Sequence, residues 1–76
     1  MQTQQQKDLA DLNALILKIK LDTFSFMSHV SKMSTEHLNA AGYNGKTNAE
    51  AMKIIHDGAV ANIEKHLAKF ERKYPN

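Results

Sequence analysis

The four histidines are the residues of this sequence best suited to metal binding or acid–base chemistry, because imidazole ligates transition metals and titrates near neutral pH. They are His29, His37, His56 and His66. No two of them are four residues apart, the spacing that places two ligands on one side of a helix. The chain has no Cys, so a thiolate site is excluded. We therefore expect neither a metal site nor a cofactor.

A short segment around the first histidine has a recognisable pattern. His29 and Lys32 form a His-x-x-Lys pair followed by Ser34, and this segment resembles the phosphoacceptor segment of histidine phosphotransfer domains. Met33 stands where that family has Gly, and 76 residues are too few for its monomeric four-helix bundle. No phosphotransfer role is therefore carried over to His29.

Other catalytic signatures are missing from the sequence. It has no Gly-rich phosphate loop after a strand and no nucleophile elbow, and its acidic residues are scattered without a facing pair. A helical chain of 76 residues also leaves little volume for a substrate pocket of a few hundred Å³. We expect a protein that is not an enzyme.

A basic cluster lies near the C-terminus of the sequence. It comprises Lys65, Lys69, Arg72 and Lys73. Glu64 and Glu71 interrupt it, and the formal net charge of the chain is only +2. Two interpretations stay open: a solvated helix end whose cations suit the helix dipole, or an interface that binds the phosphates of a nucleic acid.

A glycine-flanked segment places an aromatic ring in a predicted loop. Tyr43, Asn44 and Lys46 lie around Gly42 and Gly45, in a composition typical of turns. An exposed Tyr is a favourable anchor for a protein partner, so these three residues form a candidate partner-binding site. The alternative is that Tyr43 packs back against the helices.

Three helices are predicted to position these residues. Thr3 and Gln6 have the spacing of a capping box, and the apolar period continues to Met33, which predicts a helix over 4–33. Ser34 or Thr35 can cap a short helix over 35–41, which Gly42 ends.

The capping-box spacing recurs at Thr47 and Glu50, which predicts a last helix over 48–73, before Pro75. The expected fold is all-α: one domain over 1–76, built as a long helical hairpin with a short connecting helix. Gly58 lies in the middle of the last helix, where it marks either a close helix crossing or a hinge.

The first helix carries apolar residues on more than one side. One stripe has the alternating three- and four-residue steps of a coiled-coil seam: Leu9, Leu12, Ile16, Ile19, Thr23, Phe26, Val30 and Met33. The last helix offers one matching apolar face: Met52, Ile55, Ala59, Ile63, Leu67, Phe70 and Tyr74. A second stripe, centred on Leu17, Leu21 and Phe24, lies roughly opposite the first and lacks an obvious partner within the chain.

Leaving Leu17, Leu21 and Phe24 in water would forgo several kcal/mol, at about 1.5–3 kcal/mol for each large apolar side chain buried. We therefore expect these residues to form a self-association surface that joins two copies into a four-helix bundle. Two alternatives stay open. The short helix can fold back over them to give a compact three-helix monomer, or a different protein can dock there.

The start of the chain lacks both the basic and the apolar region of a secretory signal, and charged residues interrupt its most apolar stretch. We expect a cytoplasmic protein without a membrane span. The predicted function is that of a small helical protein that self-associates and binds a larger protein partner, as an adaptor or a stoichiometric inhibitor. The alternative is a nucleic-acid-associated regulator that uses the basic helix end.

Overall fold

The computed structural model describes residues 2–75, and within that range it consists of three α-helices and no strand. Helix α1 spans Gln4–Val30, α2 spans Thr35–Ala40, and α3 spans Asn48–Lys73. The predicted fold, two long helices joined by a short one, is confirmed. The bounds predicted for α3 are those observed.

Both long helices begin with the capping boxes predicted from the sequence. The Thr3 hydroxyl accepts a hydrogen bond from the Gln6 backbone N–H, and Gln6 Oε1 accepts one from the Thr3 backbone N–H. Thr47 and Glu50 repeat this exchange at α3. Each box satisfies two donors near the helix start, so the adjacent sequence alone determines where these helices begin.

Helix α1 ends at Val30, three residues before the predicted end at Met33. The Asn48 amide at the start of α3 donates 2.8 Å hydrogen bonds to the carbonyls of both Val30 and Met33. Ser34 is extended, and its hydroxyl accepts from the His37 backbone N–H at 3.2 Å to cap α2. The chain leaves the helix after Val30, whose carbonyl accepts the Met33 N–H and also the amide of Asn48, eighteen positions away.

Helix α2 ends at Ala40, one residue before its predicted end, in a Schellman motif. Gly42 has a φ of 94°, its N–H donates to the Asn39 carbonyl, and the Tyr43 N–H donates to the Leu38 carbonyl at 2.8 Å. Only Gly adopts this left-handed conformation at little cost, so Gly42 stops α2 as expected.

Helices α1 and α3 pack antiparallel, and the residues half-buried between them follow an 11-residue repeat. They are Asp8, Leu12, Ile16, Ile19, Thr23 and Met27 on α1, and Met52, Ile55, Ala59, Ile63, His66, Phe70 and Tyr74 on α3. This repeat, 3.67 residues per turn, stays close to the period of a straight helix, whereas a seven-residue repeat drifts by about 20° per heptad.

The coiled-coil stripe assigned from the sequence is therefore wrong at Leu9 and Phe26, and the α3 face is wrong at Leu67. These side chains are 44%, 45% and 40% exposed, respectively. Asp8, Met27 and His66 take the inward positions instead.

The core lies at the closed end of the hairpin, where the three helices meet. Among residues 2–75, the fully buried apolar side chains are Val30, Leu38 and Ala51, one from each helix. Met33, Tyr43, Met52 and Ile55 pack against them. Along the rest of the hairpin each helix has only one neighbour, so its inner residues stay half-buried.

The molecule is accordingly elongated. Its principal extents are 53 × 20 × 16 Å and its radius of gyration is 16.5 Å. A compact domain of this length has a radius of gyration of about 11 Å. The hairpin therefore exposes both of its broad sides over most of its length.

Candidate functional site

The three residues predicted to form a self-association surface lie together on the outside of α1. Leu17 is 57% exposed, Leu21 61% and Phe24 75%. Helix α2 packs at the end of the hairpin and does not cover them. The alternative of a compact three-helix monomer, in which the short helix shields this stripe, is therefore wrong.

Helix α3 extends this surface with residues that were not predicted to be part of it. Val60 and Leu67 are 39% and 40% exposed, and their seven-residue spacing places them on one side of α3. A groove of about 290 Å³ between the helices is lined by Phe24 and Val60 together. The other residues lining it are Lys20, Thr23, Met27, His56, Ala59 and Ile63.

Phe24 and Val60 line this groove together, so exposed apolar side chains of both long helices meet there. Leu17 and Leu21 lie within two turns of Phe24 on α1, and Leu67 lies two turns from Val60 on α3. We call the five residues the apolar side: Leu17, Leu21, Phe24, Val60 and Leu67. The α3 part is not predicted by the apolar periodicity of the sequence, which places Leu67 on the inner face and does not single out Val60. The seven-residue spacing of these two residues was the signal that could have found them.

The opposite side of the hairpin is more polar. Leu15 is 37% exposed there. Phe26 and Ile54 are 45% and 44% exposed, and helix geometry turns them about 200° from Phe24 and about 120° from Val60, respectively. A second groove on this side contains two acidic and two basic side chains beside Leu15. They are Asp8, Asp11, Lys69 and Lys73. The two broad sides of the hairpin therefore differ in chemistry.

The open end of the hairpin is held by a polar cluster around Asp8. Lys73 Nζ donates to Asp8 Oδ2 at 2.7 Å, the Tyr74 hydroxyl donates to the same oxygen, and Gln4 Nε2 donates to Oδ1 at 2.8 Å. The hydrogen bond from Lys73, followed by those from Tyr74 and Gln4, lowers the pKa of Asp8 to about 2. This cluster ties the first turns of α1 to the last turn of α3.

One of the four cations of the basic cluster predicted to bind nucleic acid is engaged in an ion pair within the chain. Lys65, Lys69 and Arg72 are exposed, but Lys73 is paired with Asp8, whose hydrogen bond raises the pKa of this lysine. Nearby, the rings of Phe70 and Tyr74 pack together with centroids 5.0 Å apart. Both rings are half-buried, so they offer little open face on which a base can stack.

The predicted partner-binding loop divides into a packed and an exposed part. Tyr43 is half-buried against the core of Val30, Leu38 and Ala51. Of the two interpretations of this ring, packing against the helices describes the structure. Asn44 and Lys46 are exposed at the closed end of the hairpin.

The histidines are dispersed over the molecule. His29 and His37 line a shallow cavity of about 430 Å³ between α1 and α2. His56 Nδ1 lies 3.3 Å from the Asp57 carboxylate, and His66 is half-buried between the long helices. Across residues 2–75, no three His, Asp or Glu side chains come together in an arrangement that would hold a metal ion.

Gly58 fits neither interpretation that its position suggested. A Cβ atom built on it has no heavy atom of a neighbouring element within 4 Å, so it is not a site of close packing within this chain. Helix α3 also continues unbroken through it, without the interruption that a hinge requires.

Comparison of the chain with protein-family models, with curated proteins and with solved structures finds no match. No helix in the described part of the chain has the length and hydrophobicity needed to cross a membrane.

Proposed function

We propose that this protein is a non-enzymatic interaction protein, which binds other proteins and acts as an adaptor or a stoichiometric inhibitor. The observation that carries the proposal is the exposure of the apolar side, above all of Leu17, Leu21 and Phe24. Large contiguous apolar patches are rare on monomeric soluble proteins and mark interaction sites.

The energetics favour an occupant for this surface. Burying an exposed Leu or Phe contributes about 1.5–3 kcal/mol relative to leaving it in water. Phe24 is 75% exposed, so most of that gain is still unrealised in the isolated chain. A partner that covers the apolar side therefore binds chiefly by excluding water from it.

A larger protein partner has a second surface available. Asn44 and Lys46 are exposed in the loop at the closed end of the hairpin, away from the apolar side. Tyr43 packs against the core and supports this loop. A protein bound to the apolar side leaves this loop accessible. The chain could therefore bind one protein through the apolar side and a second one through the loop.

A pair of matched variants tests the proposal. Phe24→Ala removes the most exposed ring of the apolar side. Phe26→Ala also removes a phenylalanine ring, but from a position about 200° around α1 from Phe24. Tagged chains are used to capture proteins from the cells that make this protein, and the captured proteins are identified by mass spectrometry. We expect specific proteins to be retained by wild type and by Phe26→Ala and to be reduced with Phe24→Ala. An equal set from all three chains would contradict binding through the apolar side.

A nucleic-acid-associated regulator is the second candidate, because Lys65, Lys69 and Arg72 are exposed near one end of the hairpin. Phosphate-driven binding weakens steeply between about 50 and 200 mM salt, whereas binding to the apolar side changes little. Retention that is lost with salt and with the Lys69→Glu/Arg72→Glu variant, but not with Phe24→Ala, would favour this second candidate.

A further inference from the structure

We infer that the occupant of the apolar side is a second copy of this chain, and that two hairpins pack through this side into a four-helix bundle. The inference rests on the proposed function, because it uses the same surface. It identifies the molecule that covers the apolar side and includes the residues that α3 contributes. Three observations support it: the accessible surface area of the chain, the size of its core and the composition of the apolar side.

The accessible surface of the chain is larger than its mass requires. It is 5936 Å², for a chain of 8.6 kDa. A compact monomer of this mass exposes about 4,700 Å². The excess exceeds the roughly 800 Å² that each partner contributes to a standard protein interface. The excess is therefore large enough to supply this chain's share of one standard interface.

The core of the isolated hairpin is small, and this favours permanent association with a second copy over transient binding of another protein. Val30, Leu38 and Ala51 are the fully buried apolar residues within positions 2–75, and all lie at one end. A protein of this length normally needs a larger core, a disulfide, a metal or oligomerisation, and this sequence has no Cys. A second copy is available wherever the chain is made, so oligomerisation is a direct way for this chain to enlarge its core.

The apolar side itself suits a hairpin of the same length. It takes residues from both long helices, and Phe24 stands beside a groove whose apolar lining includes Met27, Val60 and Ile63. In a two-fold dimer each copy presents the same residues to the other. The exposed Phe24 ring of one copy can therefore pack into the apolar groove of the other, and the reverse. Two helices meeting two helices gives the four-helix arrangement.

Sedimentation equilibrium at about 1–100 µM provides the first test. Wild type is expected to sediment with twice the mass of 8.6 kDa. Leu21→Glu places a charge in the interface and should raise the dimer dissociation constant by about 100-fold or more. Ser25→Glu adds the same charge at an exposed polar position of α1 that is not part of the apolar side, and it should leave the dimer intact.

Crosslinking provides a second measurement that does not depend on whether Leu21→Glu folds. The sequence has no Cys, so each single-Cys variant carries one thiol. Phe24→Cys lies on the apolar side, and Phe26→Cys is turned about 200° around α1. We expect a flexible bis-maleimide to join Phe24→Cys chains into a covalent dimer and to leave Phe26→Cys chains mostly monomeric.

The outcomes separate this inference from the proposed function. A folded wild-type chain that sediments as a monomer at 100 µM, or a dimer that crosslinks through Phe26→Cys instead, would overturn the second copy. If that monomer still captures a protein that depends on Phe24, the proposed function stands without the dimer. A monomer that binds lipid vesicles through Phe24, and captures no protein, would overturn both.

Discussion

Among single residues, Asp8 shows how one side chain can serve two roles in this hairpin. Its carboxylate accepts hydrogen bonds from Lys73, Tyr74 and Gln4, and thereby closes the end of the molecule that has no loop. It also engages one cation of the basic cluster. The residue therefore stabilises the hairpin and at the same time reduces the charge available for phosphate binding.

Asp8 predicts a specific dependence of stability on pH. Its pKa is about 2 in the folded chain, below the usual value of 3.8, so its stabilising effect is complete above pH 4 and is lost as the pH falls towards 2. Asp8→Asn should therefore lower the melting temperature at pH 6, and the difference from wild type should disappear near pH 2. Thermal unfolding followed by circular dichroism at several pH values measures this.

Asp22→Asn is the control for this experiment, because Asp22 is an exposed carboxylate on the same helix. It should leave the melting temperature nearly unchanged across the same pH range. An Asp8→Asn variant as stable as wild type at pH 6 would show that the cluster does not hold the open end.

At the level of the helices, the joint between α1 and α3 depends on Asn48. Its amide donates to two carbonyls, those of Val30 and Met33. The end of α1 is therefore hydrogen-bonded to the first residue of α3. The first residue of one helix thus serves as the C-terminal cap of another. These hydrogen bonds hold the start of α3 against the end of α1, next to the core formed by Val30, Leu38 and Ala51.

Asn48→Ala should destabilise the protein by about 1–2 kcal/mol, because it leaves the Met33 carbonyl without this donor and the Val30 carbonyl with only the Met33 N–H. Urea unfolding measures the loss. Asn62→Ala, at an exposed position in the middle of α3, is the matched control and should change stability by less than about 0.5 kcal/mol. Equal effects of the two changes would indicate that the joint does not depend on the Asn48 amide.

Gly58 gives a prediction of the opposite sign. It lies within α3, and a Cβ atom there meets no atom of a neighbouring element. Gly58→Ala should therefore stabilise the chain by about 1 kcal/mol through its higher helix propensity. Urea unfolding again provides the measurement. A loss of stability would mean that another molecule approaches the helix closely at Gly58.

For the molecule as a whole, the distribution of buried surface is uneven. One end holds the three buried side chains, the other is tied by the Asp8 cluster, and the middle of the hairpin exposes the apolar side. Burial and long-range side-chain hydrogen bonds therefore occur at the two ends of the described hairpin, whereas its middle presents exposed apolar side chains. This arrangement is the physical reason why binding, rather than catalysis, is the proposed activity.

Stability should therefore depend on protein concentration. If a second copy covers the apolar side, the melting temperature of wild type rises between about 1 and 100 µM, by mass action. Leu21→Glu should show no such rise, because it opposes association. Scanning calorimetry at several concentrations measures both. A wild-type melting temperature that is constant over this range would contradict coverage by a second copy.

Local features of this protein were determined by the sequence alone. Both capping boxes, the bounds of α3 and the glycine that stops α2 were predicted correctly. Each depends on hydrogen bonds or backbone preferences within a few residues, so neighbouring residues contain all the necessary information. The sequence also predicted that α3 cannot cover Leu17, Leu21 and Phe24, since one partner helix cannot cover two stripes, but it left open whether α2 covers them.

Only the tertiary structure decided the features that join distant residues. The end of α1 depends on Asn48, and the closure of the open end depends on Asp8 meeting Lys73. The inward position of His66 and the outward position of Leu67 depend on how two nearly straight helices pack, because a small difference in repeat length moves a side chain to another face. Such contacts depend on how the helices approach one another, which local sequence does not specify.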